Sequence, residues 1–251
     1  MAPGGAPGLA DVTAALERVR ARIADAGGDP GVVRVVAVTK GFGAEAVRAA
    51  VCAGLADVGE NYAQELLSKD EAIRASKPRI AGAGEVPAPA DGRSPGCDAG
   101  GGLRWHFLGA VQRNKVAALA PLVSCWQGVA RAVEGEAIAR RSPGAVVLVE
   151  VDATAVPGRN GCRPAAVPAL VAELRSAQLD VRGLMTVAPT DPDGARLAYR
   201  AVRALADDLG LRERSMGMSD DLELAVAEGS TMVRVGRALF GNRPARRVIA
   251  T

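Results

Sequence analysis

Aromatic residues are nearly missing from this chain. Phe, Trp and Tyr make up 3% of its 251 residues, so a core drawn from the 49% apolar content has to be built of Ala, Val and Leu. There is one histidine, His106, and no Ser-His-Asp or Cys-His relay beyond that single residue can be formed. Cys52, Cys97, Cys125 and Cys162 lie far apart, with no CxxC pair and no histidine at ligand spacing. They read as free thiols in a reducing compartment rather than a disulfide frame or a zinc site, and no metal is expected. No apolar run reaches the roughly 18 residues that span a bilayer. The opening MAPGGAPGLA lacks the basic and apolar regions of a secretory signal. The expectation is a soluble, cytoplasmic protein with no membrane partner. A formal net charge of +3, with Lys and Arg scattered rather than striped, argues against a nucleic-acid partner. No exposed apolar stripe marks an obligate dimer, so a monomer is expected.

What the chain does have is alternation. Leu9, Val12, Leu16, Val19 and Ile23 repeat at spacings of three and four and predict a helix over 9–26, stopped by Gly27, Gly28 and Pro30. VVRVVAVT (32–39) is an almost continuous β-branched run, as in strands buried on both faces of a parallel sheet. Lys40 stands at its end, and a helix with Val47, Ala50 and Val51 inward follows. A short strand at 56–59 leads to Glu60 and Asn61 and to a helix over 62–76. Residues 77–102 are Gly, Pro and Ala with little periodicity, and read as a flexible surface insertion. Further strands are expected at 103–109, 122–126, 145–151 and 179–185, one reaching Ser215 and one over 231–235. Helices are expected at 129–141, 164–177 and 191–209. Eight strand–helix units in 251 residues predict the α/β class: a single (β/α)8 TIM-type barrel with an N-terminal helix, one domain over 1–251. The competing architecture, a doubly wound open sheet, lacks its usual G-x-G-x-x-G turn, since the first strand runs into Lys40 and GFG.

In a barrel, Lys40, Asn61, Gln112, Ser215 and Arg234 all fall at or just past the C-terminal ends of strands, the face where barrel active sites lie. The stretch SMGMSDDLELAVAEGSTMVRVGRALFG (215–241) covers the last two strand ends. Gly217 allows a bend between Ser215 and Ser219, and Ser219 sits where an N-cap belongs, with Asp220 and Asp221 in the first helical turn. Arg234 closes the last strand just before Gly236. Hydroxyls, free backbone N–H groups and one cation suit a phosphate or a carboxylate. Lys40, partly desolvated, has a lowered pKa, and a neutral amine forms Schiff bases with aldehydes. A phosphorylated aldehyde such as pyridoxal phosphate fills both halves of such a site. His106 reads as structural, its ring packed near the barrel mouth. Glu60, Asp220 and Asp221 are candidate acids, the last two read more simply as helix-capping charges.

Five blocks in order carry a resemblance: VAVTK (36–40), VGENYAQE (58–65), WHFLGAVQRNK (105–115), RGLMTVAP (182–189) and the 215–241 stretch. They resemble the pyridoxal phosphate homeostasis family, related in fold to the N-terminal barrel of alanine racemase. The resemblance implies pyridoxal 5'-phosphate (PLP) linked to Lys40. It implies that Ser215, Ser219 and the backbone at Gly236 hold the phosphate, with Arg234 against the pyridine nitrogen and Asn61 near the cofactor. It implies a protein that holds and supplies PLP within the cell, with PLP-dependent apo-enzymes as recipients, no catalytic residue and no established turnover. The chain departs from the family in its long 77–102 insertion, and in VDATAVPGRNG, where Asp152 and Arg159 replace the usual Asn and Lys.

The rival reading is a PLP-dependent amino-acid racemase or lyase. A racemase needs a second base on the far face of the cofactor, which in alanine racemase is a tyrosine brought by an added β-domain. Tyr62 and Tyr199 both fall in expected helices, and the sequence ends ten residues after Gly241. An arginine at the ring nitrogen also disfavours its protonation and weakens the electron sink. A Schiff-base aldolase using Lys40 without a cofactor, and a scaffold with an unused barrel mouth, complete the alternatives.

Overall fold

The computed structural model describes residues 8–75, 102–154 and 158–243. All of the expected insertion but Gly102 lies outside the described residues. Eight parallel strands close into one barrel in chain order: β1 (Arg34–Val38), β2 (Asp57–Glu60), β3 (Arg104–Phe107), β4 (Val123–Val129), β5 (Val146–Glu150), β6 (Asp180–Met185), β7 (Glu213–Ser215) and β8 (Met232–Val235). Closure is made by β8 pairing back onto β1, with Ala37 opposite Val235. The α/β barrel expected from the alternation is the one observed, and the open sheet is excluded.

The helices are α1 (Leu9–Asp25), α2 (Ala44–Cys52), α3 (Ala63–Ala75), α4 (Arg113–Leu119), α5 (Ala132–Ala139), α6 (Val167–Ser176), α7 (Pro192–Asp208), α8 (Leu222–Ala227) and α9 (Arg237–Phe240). None among the described residues is long and apolar enough to cross a membrane. α1 buries Val12, Ala15, Leu16, Val19 and Ile23 against α2, α8 and α9, so the N-terminal helix lies over the seam where β8 meets β1. α7 begins as its sequence dictates: Asp191 accepts the Gly194 N–H at 2.6 Å and Pro192 supplies a preset first turn. α4 and α9 escaped the periodicity because each is too short to show a stripe; α4 buries only Val116 and Leu119.

Period-two alternation divides the strands. Trp105, Phe107, Trp126, Val233 and Val235 face the helices and join the main apolar core. Their neighbours His106, Cys125, Gln127 and Arg234 point into the barrel and are buried there. The interior is therefore a packed column rather than a channel, and it opens only above the C-terminal strand ends.

Candidate functional site

A cavity of about 470 Å³ lies at that C-terminal face. Lys40, Asn61, Ser219, Arg234 and Gly236 line it, together with Phe42, Leu108, Met185, Val187, Met218, Arg237, Asn242 and Arg243. The amine, the buried guanidinium and the glycine corner named from sequence thus share one space.

The Lys40 loop is held from behind. Thr39 donates its hydroxyl to Glu60 at 2.5 Å, and Lys69 of α3 donates to the Thr39 carbonyl at 2.8 Å and to Glu60. Gly41, at φ 79°, donates its N–H to Glu65 at 2.8 Å. Phe42 packs its ring on Phe240 of α9, centroids 5.5 Å apart, which ties this loop to the end of β8. Burial lowers the Lys40 pKa, and the nearby Arg243 and Arg234 lower it further against the opposing pull of Glu60 and Glu65. Burial raises the Glu60 carboxyl, even with Lys69 and Thr39 on it.

Arg234 is 5% exposed and is fixed by neutral partners. One terminal nitrogen donates to the Ser215 carbonyl at 2.6 Å and to the Ser215 hydroxyl at 2.8 Å, and the other to the Thr186 carbonyl at 2.8 Å. A guanidinium has five N–H donors, so these bonds leave donors to spare at the cavity wall. Burial lowers its pKa, opposed by Tyr199, Glu150 and Asp221. Gly236 is at the N-terminus of α9, where the first N–H groups have no partner inside the helix. A side chain there would meet the Val38 carbonyl at 3.1 Å, a tight contact that glycine avoids where β8 leaves the barrel beside β1.

Three placements differ from the sequence reading, those of Ser215, Ser219 and His106. Ser215 does not line the cavity: it is fully buried beneath Arg234, with its hydroxyl donated to Gln127 at 2.7 Å. Ser219 is not the cap of α8, whose N-cap position belongs to Asp221. Its hydroxyl instead accepts the Ala238 N–H of α9 at 3.1 Å, bridging the two turns. Asp220 pairs with Arg237. His106 sits deep in the barrel between Asp57 and Gln127, away from the mouth, and Gln112 is exposed at the start of α4. A smaller cavity of about 140 Å³ at the end of β5 takes in Asp152 and Arg159 and shares Val187 with the main one. Arg243 went unread in the sequence although it stands in a basic run, NRPARR, directly after the last glycine turn.

The alanine racemase N-terminal domain family matches residues 11–244. The pyridoxal phosphate homeostasis protein of Pseudomonas aeruginosa is 36% identical over 235 residues, covering 90% of this chain and 91% of its own. That of Deinococcus radiodurans is 38% identical over 238 residues, covering 91% and 99%. Among solved structures, PipY of Synechococcus elongatus, determined with PLP bound, is 28% identical with a TM-score of 0.73 over 92% of this chain and all of its own. Alanine racemase from Corynebacterium glutamicum shares the fold, at 14% identity and a TM-score of 0.65 over 96% of this chain and 64% of its own. By sequence and by barrel, this chain belongs to the pyridoxal phosphate homeostasis protein family, built on the alanine racemase N-terminal domain.

Proposed function

We propose that this protein binds pyridoxal 5'-phosphate at the C-terminal mouth of the barrel and keeps it available in the cell without turning over a substrate. The observation that carries the reading is one shared cavity lined by Lys40, Ser219, Arg234 and Gly236. The residues fit the cofactor. Lys40 supplies an amine with lowered pKa to hold the aldehyde as a Schiff base. The turn at Ser219 and the backbone at Gly236 offer donors to a phosphate, and Asn61 lines the same cavity. Arg234, bonded to carbonyls and a hydroxyl, has donors left for a pyridine nitrogen. When bound, PLP supplies an electrophilic aldehyde and an electron-accepting ring. A guanidinium at the ring nitrogen keeps the second of these weak.

The carrier reading is favoured over a racemase or lyase by what the wall lacks. Among the described residues lining the cavity there is no tyrosine, histidine or cysteine to act as a second base, and the carboxylate on its wall, Asp220, is paired with Arg237. Tyr199 is buried and donates to Asp221 at 2.5 Å, and Tyr62 is exposed. We read the protein as a cytoplasmic monomer whose recipients are PLP-dependent apo-enzymes. Purified protein should be yellow, borohydride should fix the cofactor on Lys40, and Lys40→Ala should lose the colour. Incubation with L- or D-amino acids should give no isomerisation. Colour retained in Lys40→Ala, or clear racemisation, overturns the assignment.

A further inference from the structure

The barrel interior holds both an apolar cluster and a polar file. Cys125, Val146, Leu148 and Met185 form the apolar cluster. The file is a run of hydrogen-bonded side chains from the bottom of the barrel to the cavity. Arg104 donates to both oxygens of Asp57 at 2.9 and 2.6 Å. His106 Nε2 is 2.7 Å from Asp57, and Gln127 Nε2 is 2.7 Å from His106 Nδ1. Ser215 Oγ is 2.7 Å from Gln127 Oε1, and Arg234 is 2.8 Å from Ser215 Oγ. His106, Gln127 and Ser215 are each 1% exposed or less, so water does not satisfy them; besides one another they have the Met232 sulfur, 3.1 Å from Gln127 Nε2.

The directions of these bonds form one consistent set. A guanidinium can only donate, so the Ser215 oxygen accepts from Arg234, and its O–H is donated to Gln127 Oε1. The Gln127 atom facing it is therefore the carbonyl oxygen, and the amide N–H₂ faces His106. Nδ1 of His106 is then a bare acceptor, and Nε2 carries the proton donated to Asp57. Burial pushes the Asp57 carboxyl up, but Arg104 and His106 outweigh it and hold it well below the usual range, so it remains an acceptor.

We propose that Gln127 is a positioning residue for Arg234, fixing through Ser215 the direction in which the guanidinium donates and anchoring it through His106 to the Asp57–Arg104 pair. The consequence is selectivity for a ligand that offers a lone pair at Arg234. This deepens the proposed function and rests on it: the lone pair is that of the pyridine nitrogen, and the file keeps that nitrogen unprotonated.

The chain has one histidine, so its imidazole nitrogens can be read without assignment in tag-free, full-length, ¹⁵N-labelled protein. The spectrum should show the Nε2–H tautomer. Adding pyridoxal 5'-phosphate should move the His106 signals, although His106 lies outside the cavity lining, and in Ser215→Ala bound cofactor should no longer move them. Gln127→Leu should shift the absorption band of bound PLP and weaken its binding by about tenfold, the loss of one charge-assisted hydrogen bond. The Nδ1–H tautomer, or PLP binding in the wild type with the His106 signals unmoved, overturns the proposal and leaves PLP binding intact. So does a Gln127→Leu that melts lower but binds with unchanged band and affinity. If PLP gives no absorbance change at all, both the proposed function and this inference fall. The wild-type spectra decide even if Gln127→Leu does not fold.

Discussion

Lys40 gains its chemistry from its neighbours. An exposed lysine is almost wholly protonated at neutral pH and a poor nucleophile. Here burial comes first, and two arginines follow, in favouring the neutral amine. The folded pKa is lowered, so between that value and the ordinary one the fold binds fewer protons than the unfolded chain, and apo-protein stability rises with pH across that window. The capture of PLP should follow the same titration: the borohydride-trapped fraction at short times should rise with pH and level off below the usual lysine range. Arg243→Ala removes a like charge and should move that midpoint upward, slowing capture at neutral pH. Stopped-flow absorbance against pH measures this, and an unmoved midpoint removes Arg243 from the account.

Elements show what local sequence can and cannot convey. The 215–241 stretch was readable because glycine corners, hydroxyls and a closing arginine act over a few residues, and Gly217 does adopt φ 89°. The polar partners of those residues were not readable. Ser215 looked like a rim hydroxyl because nothing nearby reveals Gln127, 88 positions away in sequence, to which it is bonded. Helix α3 makes the same point: nothing in the local sequence sets Lys69 and Asp70 apart, yet both are buried, on Glu60 and on the Trp105 indole N–H. Lys69 is the stay that holds Glu60 and the Thr39 carbonyl behind Lys40. Lys69→Met should cost about 3–5 kcal/mol, the usual penalty of stranding one buried charge, and adding Glu60→Gln should recover part of it. Urea unfolding of the two variants tests this; equal stability of Lys69→Met and the parent would mean the pair is not buried in solution.

At the scale of the whole molecule, the fold was legible because a (β/α)8 barrel is written as a repeated local pattern, while its interior file of polar groups is assembled from five strands and leaves no local trace. Closure brings the two ends of that pattern together. β1 delivers Lys40 and β8 delivers Arg234 and Gly236, with Val36 opposite Arg234 and Ala37 opposite Val235. β7 spans only three residues, and its registered pairing with β8 is the single pair Ser215–Met232. The longer registered pairing of β8 is with β1, from Met232 opposite Arg34 to Val235 opposite Ala37. A ligand gripped by Lys40 on one side and by Arg234 and Gly236 on the other spans this seam, and its binding free energy adds to closure there. At one hundred times its dissociation constant, a ligand that binds only the folded state stabilises it by about 2.7 kcal/mol. For a chain of this size that raises the melting temperature by roughly 5–10 °C. Hydrogen exchange of the protein with and without PLP should therefore show added protection concentrated over 34–38 and 232–235, and little change over 123–129 and 146–150, where β4 and β5 pair on the far side. Protection that rises evenly around the barrel would mean the cofactor does not bridge the seam, and would separate Lys40 from Arg234 as parts of one grip.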